Sequence, residues 1–543
     1  MKKSLIAITG IILLITSCTG NNDIKNAIGT ITASDIRIIT REISADSLMG
    51  RAPFTKGEER TVRYLSGALA KIGFDPAFNG SYCQEVPMIQ ITSEVAGPVI
   101  FATGGKKLVM NAPDDIAIVS TLQQEVTEAV NMPLVFCGFG IVAPEYDRDD
   151  YKNLDVKGKC AVVLVNDPGL YTGDTALFKG KTMTYYGRWT YKYEEAARHG
   201  AAAVLIIHET SGAGYEFSIQ RNSSISPKLY MTSSEKSAPK CRITGWINDY
   251  SADNLFGILG YNVKSLRMEA CKKGFSGFDM HTMMNAKIIN RIRNDKSMNV
   301  AGILPGNEKK DQAIVLTAHW DHFGIGEKIG GDSIYNGAVD NGTSVAWALE
   351  IGKAFSSMKK RTSRSVIILF PTAEEEGLLG STYFTEHSPV DINKIAACFN
   401  NDLMLPIGRM KDIMITGYGQ SELEDMLAVV ARKQDRYLKP DPNSETGMYF
   451  RSDHFPFAKA GVPSLFARGN CDSRDSGITW AAGKENEYLR KFYHKPADNY
   501  YPEMNFDGIC EDAKAVFEVA YEVANSEKFP KWKSTSEFAK LRH

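Results

Sequence analysis

Between positions 319 and 494 the sequence carries histidines and acids at the ends of expected strands, where an open α/β sheet places its binding crevice. IVLTAHWDHFG puts His319 and Asp321 two apart at a strand end, so both side chains leave the same face. An imidazole that ligates a metal commonly gives its other ring hydrogen to a carboxylate, and Asp321 is placed to receive it. YNGAVDNGTS sets Asp340 in a Gly- and Asn-rich turn before a helix, where a carboxylate can be held between two cations. ILFPTAEEEGLLGS follows a buried-type strand with Glu374, Glu375 and Glu376. Three adjacent carboxylates repel one another unless cations or protons compensate, although alone the segment also reads as an acidic helix N-terminus. FNNDLM ends another strand at Asp402, and KFYHKPADN supplies His494 preceded by Tyr493. Two imidazoles and three carboxylates suit a pair of borderline cations such as zinc, each with a position open for water or substrate.

These residues need a scaffold, and from about residue 286 strand and helix patterns alternate. Strands are expected at Ala313–Asp321, Ser365–Thr372, Ile395–Asp402, Asp412–Gly417 and Pro463–Ala467, and helices at Gly342–Met358, Ser421–Asp435 and Phe506–Asn525. The alternation predicts an α/β sheet with helices on both faces. Two helical patterns come earlier, at Ala33–Asp46 and Gly57–Gly73. Between about 90 and 285 short β-rich runs such as MPLVFCGFGIV and KCAVVLVND predominate, with a helix near Tyr193–Arg198.

Composition narrows the function further. With 543 residues, 43% hydrophobic, the chain is long enough for more than one packed unit. Lys plus Arg (63) and Asp plus Glu (64) nearly cancel, and no long basic run exists, which argues against nucleic acid as a partner. GFGIVA at Gly138 is followed at once by Pro144, so no dinucleotide-binding helix can open there. GKT at Gly180 lacks the earlier glycine that a phosphate-binding loop needs, and no HExxH occurs. The start, MKKSLIAITGIILLITSC, has two lysines and an apolar run too short to span a membrane comfortably, as a signal peptide does. Its last residues resemble a bacterial lipobox ending at Cys18, which implies export and a lipid anchor on the bacterial envelope. The other eight cysteines form no CxxC pair, and no bridge is assigned.

The order of the motifs resembles peptidase family M28. The segments are HWD from His319, GAVDN around Asp340, AEEEGLLGS from Ala373, NNDLM around Asp402, SDHFPFAKAGVP from Ser452 and YHKPAD from Tyr493. The resemblance implies a mixed, mostly parallel sheet sandwiched by helices, built from residues 24–90 and 286–528. Residues 91–285 then form an insert similar to a protease-associated domain, as in GFGIVAPEYDRDDYKNLDVKGKCAVVLV and EEAARHGAAAVLII. It implies two Zn2+ or other divalent cations bridged by Asp340, with His319 and Asp402 completing one site and Glu375 and His494 the other. Glu374 is then the general base, and Tyr493 the donor to the developing oxyanion. Ser452, Asp453 and His454 are expected to line the pocket or support ligands, because the family's last ligand is the histidine of the YHxPxD motif. Arg468 could meet a substrate carboxylate, with surface solvation as the plain alternative. The implied activity is exopeptidase hydrolysis of peptide substrates, most readily as an aminopeptidase. A glutamate carboxypeptidase-like hydrolase, a glutaminyl cyclase-like acyltransferase and a metal-free receptor-like module are the alternatives. The sequence departs from the family in the long Gly-rich stretch from His322 to Asn336 and in Trp320 and His322, which flank Asp321, and this puts the shape of the pocket in question.

Overall fold

The computed structural model describes residues 22–232 and 238–542, so the signal and lipobox read at residues 1–18 lie outside the described residues. Two compact units emerge. One holds the residues through Val86, Lys296–Asp441 and the chain from Arg451 onward; the other holds Pro87–Asp295 and Pro442–Phe450. The junctions expected at 90/91 and 285/286 thus fall at 86/87 and 295/296, and residues 442–450 group with the second unit. The second junction lies within the strand Phe278–Leu304, so no loop composition marks it.

The first unit is built on a mixed sheet of β1 (Asp75–Pro76), β2 (Phe278–Leu304, of which the residues from Lys296 onward belong to this unit), β3 (Lys309–Thr317), β4 (Arg364–Phe370), β5 (Ile395–Asn400), β6 (Asp412–Ile415), β7 (Tyr437–Pro440) and β8 (Ser464–Arg468). Among the described residues their order is β1-β2-β4-β3-β5-β8-β6-β7. β4, β3, β5 and β8 run parallel; β2 and β6 join them antiparallel. The sequence dictates this because side chains alternate across a strand and both faces must be covered. Ala313 and Val315 of β3 pack with Ile367, Leu369 and Cys398 on one face, while Ile314 and Leu316 pack with Val366, Ile368 and Phe399 on the other.

Among the described residues, helices that cover the second of those faces include α1 (Ala33–Ile43), α2 (Lys56–Lys71), α3 (Thr343–Ser357), α5 (Leu423–Lys433) and α7 (Asp507–Asn525). The opposite face takes Phe384 from α4 (Leu379–Glu386) and Phe457 from the short helix His454–Lys459. α6 (Gly477–Lys491) is absent from the sequence expectation, because only Ala481 and Tyr488 of its residues are buried and no apolar stripe announces it. The Gly-rich stretch after His322 forms a ribbon, with Gly324–Ile329 paired antiparallel to Asp332–Tyr335.

Register sets the level of the loops. Thr317 lies opposite both Leu369 and Asn400, and Asn400 opposite Phe466, so β3, β4, β5 and β8 release their loops along one edge. β3 ends at Thr317 rather than at Asp321, and His319–Asp321 therefore stand in the loop beyond it.

The second unit carries strands in the order Ile116–Ser120, Ile243–Ile247, Ala203–Ile207, Cys160–Leu164 and Val126–Phe136, the last four parallel. The aromatic run around Tyr185, Tyr186 and Tyr191 packs on itself within this unit. All eight described cysteines are unbridged, and seven are buried. Among the described residues no helix is long and apolar enough to cross a membrane.

Candidate metal centre

The loops after β3, β4 and β5 at that edge, with the turn before α3 and the loop after α6, converge on one cluster. His319 and Asp340 are buried, and His319 Nε2 lies 3.4 Å from Asp340 Oδ1 and 3.5 Å from Asp402 Oδ1. Asp340 turns its other oxygen the opposite way: Oδ2 is 3.3 Å from His494 Nε2, which is also 3.3 Å from Glu375 Oε2. One carboxylate is thus shared by two imidazoles, and each imidazole has a further carboxylate of its own. Glu374 is buried on the His319 side, with Oε2 4.0 Å from Nε2.

The supports of these side chains are local. His319 Nδ1 donates to the backbone carbonyl of Asp321 at 3.1 Å, and the Asp321 carboxylate stands 3.9 Å away. This corrects the expectation that the carboxylate orients the ring. With β3 ended, the loop turns the Asp321 side chain toward the acidic pair instead, where its oxygens accept from Glu374 N (3.1 Å) and Glu375 N (3.4 Å). Asp402 is held through Asn400 Nδ2, which donates to Ser452 Oγ, which donates to Asp402 Oδ2 at 2.9 Å. His454 is buried against Phe466 with Nδ1 3.4 Å from Asn400 Nδ2, one step back from the cluster. Asp453 is buried close enough to feel His319, Asp321 and Asp402. Tyr493 stacks on His494, with ring centroids 3.7 Å apart. Arg468 is not solvated at the surface: it is 6% exposed, at the end of β8, with its guanidinium 4.8 Å over the Phe466 ring.

Two residues that the sequence reading left out hold the Asp340 turn. Fully buried Arg51 donates to the carbonyls of Trp320, Ile43, Asn336, Gly337 and, at 3.4 Å, Asp340. Asp498 accepts from the N–H groups of Val339 (3.1 Å) and Asp340 (3.0 Å) and from the Tyr488 hydroxyl (3.0 Å). Asp498 sits in the quoted YHKPAD segment, which could have flagged it; Arg51, which acts only on backbone atoms, leaves no such signal.

The charges explain what such a cluster needs. Burial, and then neighbouring carboxylates, push the Glu374 and Glu375 carboxyls well above their usual range. Burial raises Asp453 and Asp498 to about 7. Burial opposes ionisation of Asp340 too, but hydrogen bonds from His319 and His494 outweigh it and hold Asp340 well below its usual range. Burial lowers His319, and the charges of Glu374 and Asp402 overcome it to leave the ring well above its usual value. Buried Arg51 is lowered to about 10 and remains a cation.

Divalent cations fit this cluster. Glu375 Oε1 and Asp402 Oδ1 are buried without a hydrogen-bond partner. Donor atoms of His319, Asp340 and Asp402 lie within 4.8 Å of one another, as do those of His322, Asp340 and Glu375. Nitrogen and carboxylate oxygen in this proportion are the ligands of zinc and similar borderline ions.

Comparison with known proteins agrees at the level of the domain. Residues 299–515 match the family model described as Peptidase family M28. The chain is 26% identical over 242 residues to aminopeptidase YwaD of Bacillus subtilis (strain 168), covering 44% of this chain and 47% of that protein. It is 28% identical over 210 residues to the probable leucine aminopeptidase 2 of Aspergillus oryzae, covering 37% and 41%. The chain therefore spans about half the length, or less, of these curated relatives. Among solved structures, an aminopeptidase from Aneurinibacillus sp. strain AM-1 aligns with 92% of this chain and 96% of its own at 17% identity and a TM-score of 0.46. Residues 299–515 are thus the part of this chain that is similar to peptidase family M28.

Proposed function

We propose that this chain is a metal-dependent aminopeptidase that hydrolyses the first peptide bond of its substrates at two divalent cations, zinc by the chemistry of the donors. One observation carries the reading: Asp340 offers one oxygen to His319 and the other to His494, and Asp402 and Glu375 complete the two halves. His319, Asp340 and Asp402 would hold one ion and Asp340, Glu375 and His494 the other. Bound there, the ions supply Lewis acidity that polarises an acyl carbonyl and acidifies water.

The remaining steps belong to the chain's own groups. Glu374, raised by burial and held by Asp321 through its backbone N–H, accepts the proton of the attacking water and returns it to the leaving amine. Tyr493, whose hydroxyl is kept protonated by burial and by Asp340 and Glu375, donates a hydrogen bond to the oxygen that gains charge. The surplus of acids suits a protonated substrate amine, which favours release from the N-terminal end. Metal content per chain, measured beside hydrolysis of a free-amine aminoacyl chromogenic amide with and without chelator, tests the reading. Two equivalents and chelator-sensitive cleavage are expected, with an N-blocked dipeptide left intact; metal-free cleavage overturns it. The lipobox-like residues ending at Cys18 support export with a lipid anchor, and Cys18→Ser is expected to shift the protein from the membrane to the soluble fraction.

A further inference from the structure

His322 follows Asp321 and is fully buried, yet neither of its ring nitrogens has a hydrogen-bond partner. A buried polar group left unpaired is costly, so such a ring calls for a partner that is nearly in reach. The atom it faces is equally alone. His322 Nδ1 lies 3.4 Å from Glu375 Oε1, which also lacks a hydrogen bond, while Glu375 Oε2 is the oxygen turned to His494. The glutamate is thus presented edge-on, one oxygen toward each ring.

The seat of the His322 ring is built for it. At Gly337, in the left-handed region at φ +56, a Cβ would come within 1.9 Å of His322 Cδ2, so only glycine leaves room. The Phe323 ring stands 4.9 Å away on a different plane. A direct ligand role is the less economical assignment. Asp340, Glu375 and His494 already offer three donors to that half, and a fourth from the protein would fill the position a catalytic ion keeps open.

We propose that His322 is a positioning residue for Glu375: its Nδ1–H is the donor for Glu375 Oε1, which fixes the carboxylate so that Oε2 serves the ion on the His494 side. The inference rests on the two-cation reading. It reverses the usual arrangement, in which a carboxylate steadies a ligand histidine.

Zinc titration against a chromogenic chelator tests it, on wild type, His322→Asn and His322→Leu. Asn and Leu have similar size, but only Asn keeps an N–H near the place of Nδ1. Wild type is expected to bind two equivalents. Leu is expected to weaken one of them by about 10–100-fold, the range for losing such a support, and Asn to restore most of it. Wild type without zinc overturns both this inference and the function above. Two equivalents in wild type with Leu unchanged overturn the inference alone, as does loss of one equivalent at saturating zinc in both variants, which would make the ring a ligand. A crystal structure of zinc-loaded wild type decides the matter without variants. Nδ1 is expected within about 3.2 Å of Glu375 Oε1, and the anomalous peak well beyond the roughly 2.1 Å of a zinc–nitrogen bond from either ring nitrogen. A ring nitrogen at bonding distance from the peak, or Nδ1 still out of reach of Oε1, overturns the proposal.

Discussion

Glu374, buried, and Glu375, half-buried, are adjacent, yet they face different imidazoles, His319 and His494 respectively. Both backbone N–H groups lead to Asp321, so one carboxylate keeps the two side chains in fixed relation. The roles proposed for them separate by substitution. Glu374→Gln is expected to retain both ions and to lose about 10²–10⁴-fold in kcat, the usual worth of a proton-transfer group. Glu375→Gln is expected to lower metal affinity as well as turnover. Metal analysis and steady-state rates on the same preparations check this, and full metal with full activity in both variants refutes the assignment. His319, Asp340, Glu375, Asp402 and His494 were legible in the sequence because a metal or proton-transfer group needs a particular side chain at a strand or turn end. Arg51 was not legible as a site residue, since it grips only backbone carbonyls that every residue has, whereas Asp498 was signalled by its place in the YHKPAD segment without its task being read. The task of the Asp321 carboxylate was misread because it depends on β3 ending at Thr317, a boundary that apolar patterning does not fix to the residue.

At the scale of the element, the turn Ala338–Gly342 is the piece on which both halves of the cluster depend, because it carries the shared carboxylate. It is pinned from two sides, by Arg51 through carbonyls and by Asp498 through N–H groups. Gly337→Ala would place a methyl 2.0 Å from the Asp340 carbonyl and press on His322, in a conformation that costs a non-glycine residue about 1–2 kcal/mol. A total loss of about 2–5 kcal/mol is expected once overpacking is added, read by denaturant unfolding, and wild-type stability in that variant would refute the packing described. The parallel strands and the helices α3, α5 and α7 could be placed from sequence, as their apolar runs and stripes are strong. The ribbon after His322 and the polar helix α6 could not, because neither buries a periodic set of residues.

At the scale of the whole molecule, the buried acids make stability depend on pH and on bound ions. Asp453 and Asp498 titrate near 7 when folded and Glu374 and Glu375 are also raised, whereas in the unfolded chain all four ionise near 4. Their contribution is fully present below about pH 4 and is lost as pH rises through the folded values. His322, held neutral by burial, acts the other way for one proton as pH rises through its unfolded value near 6.5. The acids outnumber it, so chelated protein is expected to lose several degrees of Tm between pH 5 and pH 8. Protein loaded with zinc is expected to keep a flatter profile, and loading is expected to release protons. Thermal unfolding at stepped pH, and calorimetry in buffers of different ionisation enthalpy, read both effects. A chelated protein that grows more stable toward pH 8 would contradict the burial of these groups.

The guanidinium that clasps the loops around Asp340 comes from position 51, more than two hundred residues ahead of the stretch 299–515 that matches the family. Trimming a gene to that stretch would discard the permanent positive charge at the heart of the acids and bare the carbonyls of Trp320, Asn336 and Gly337. A minimal fragment cut at the matched borders should be an empty shell, and any truncation meant for crystals or screening has to begin upstream of Ile43.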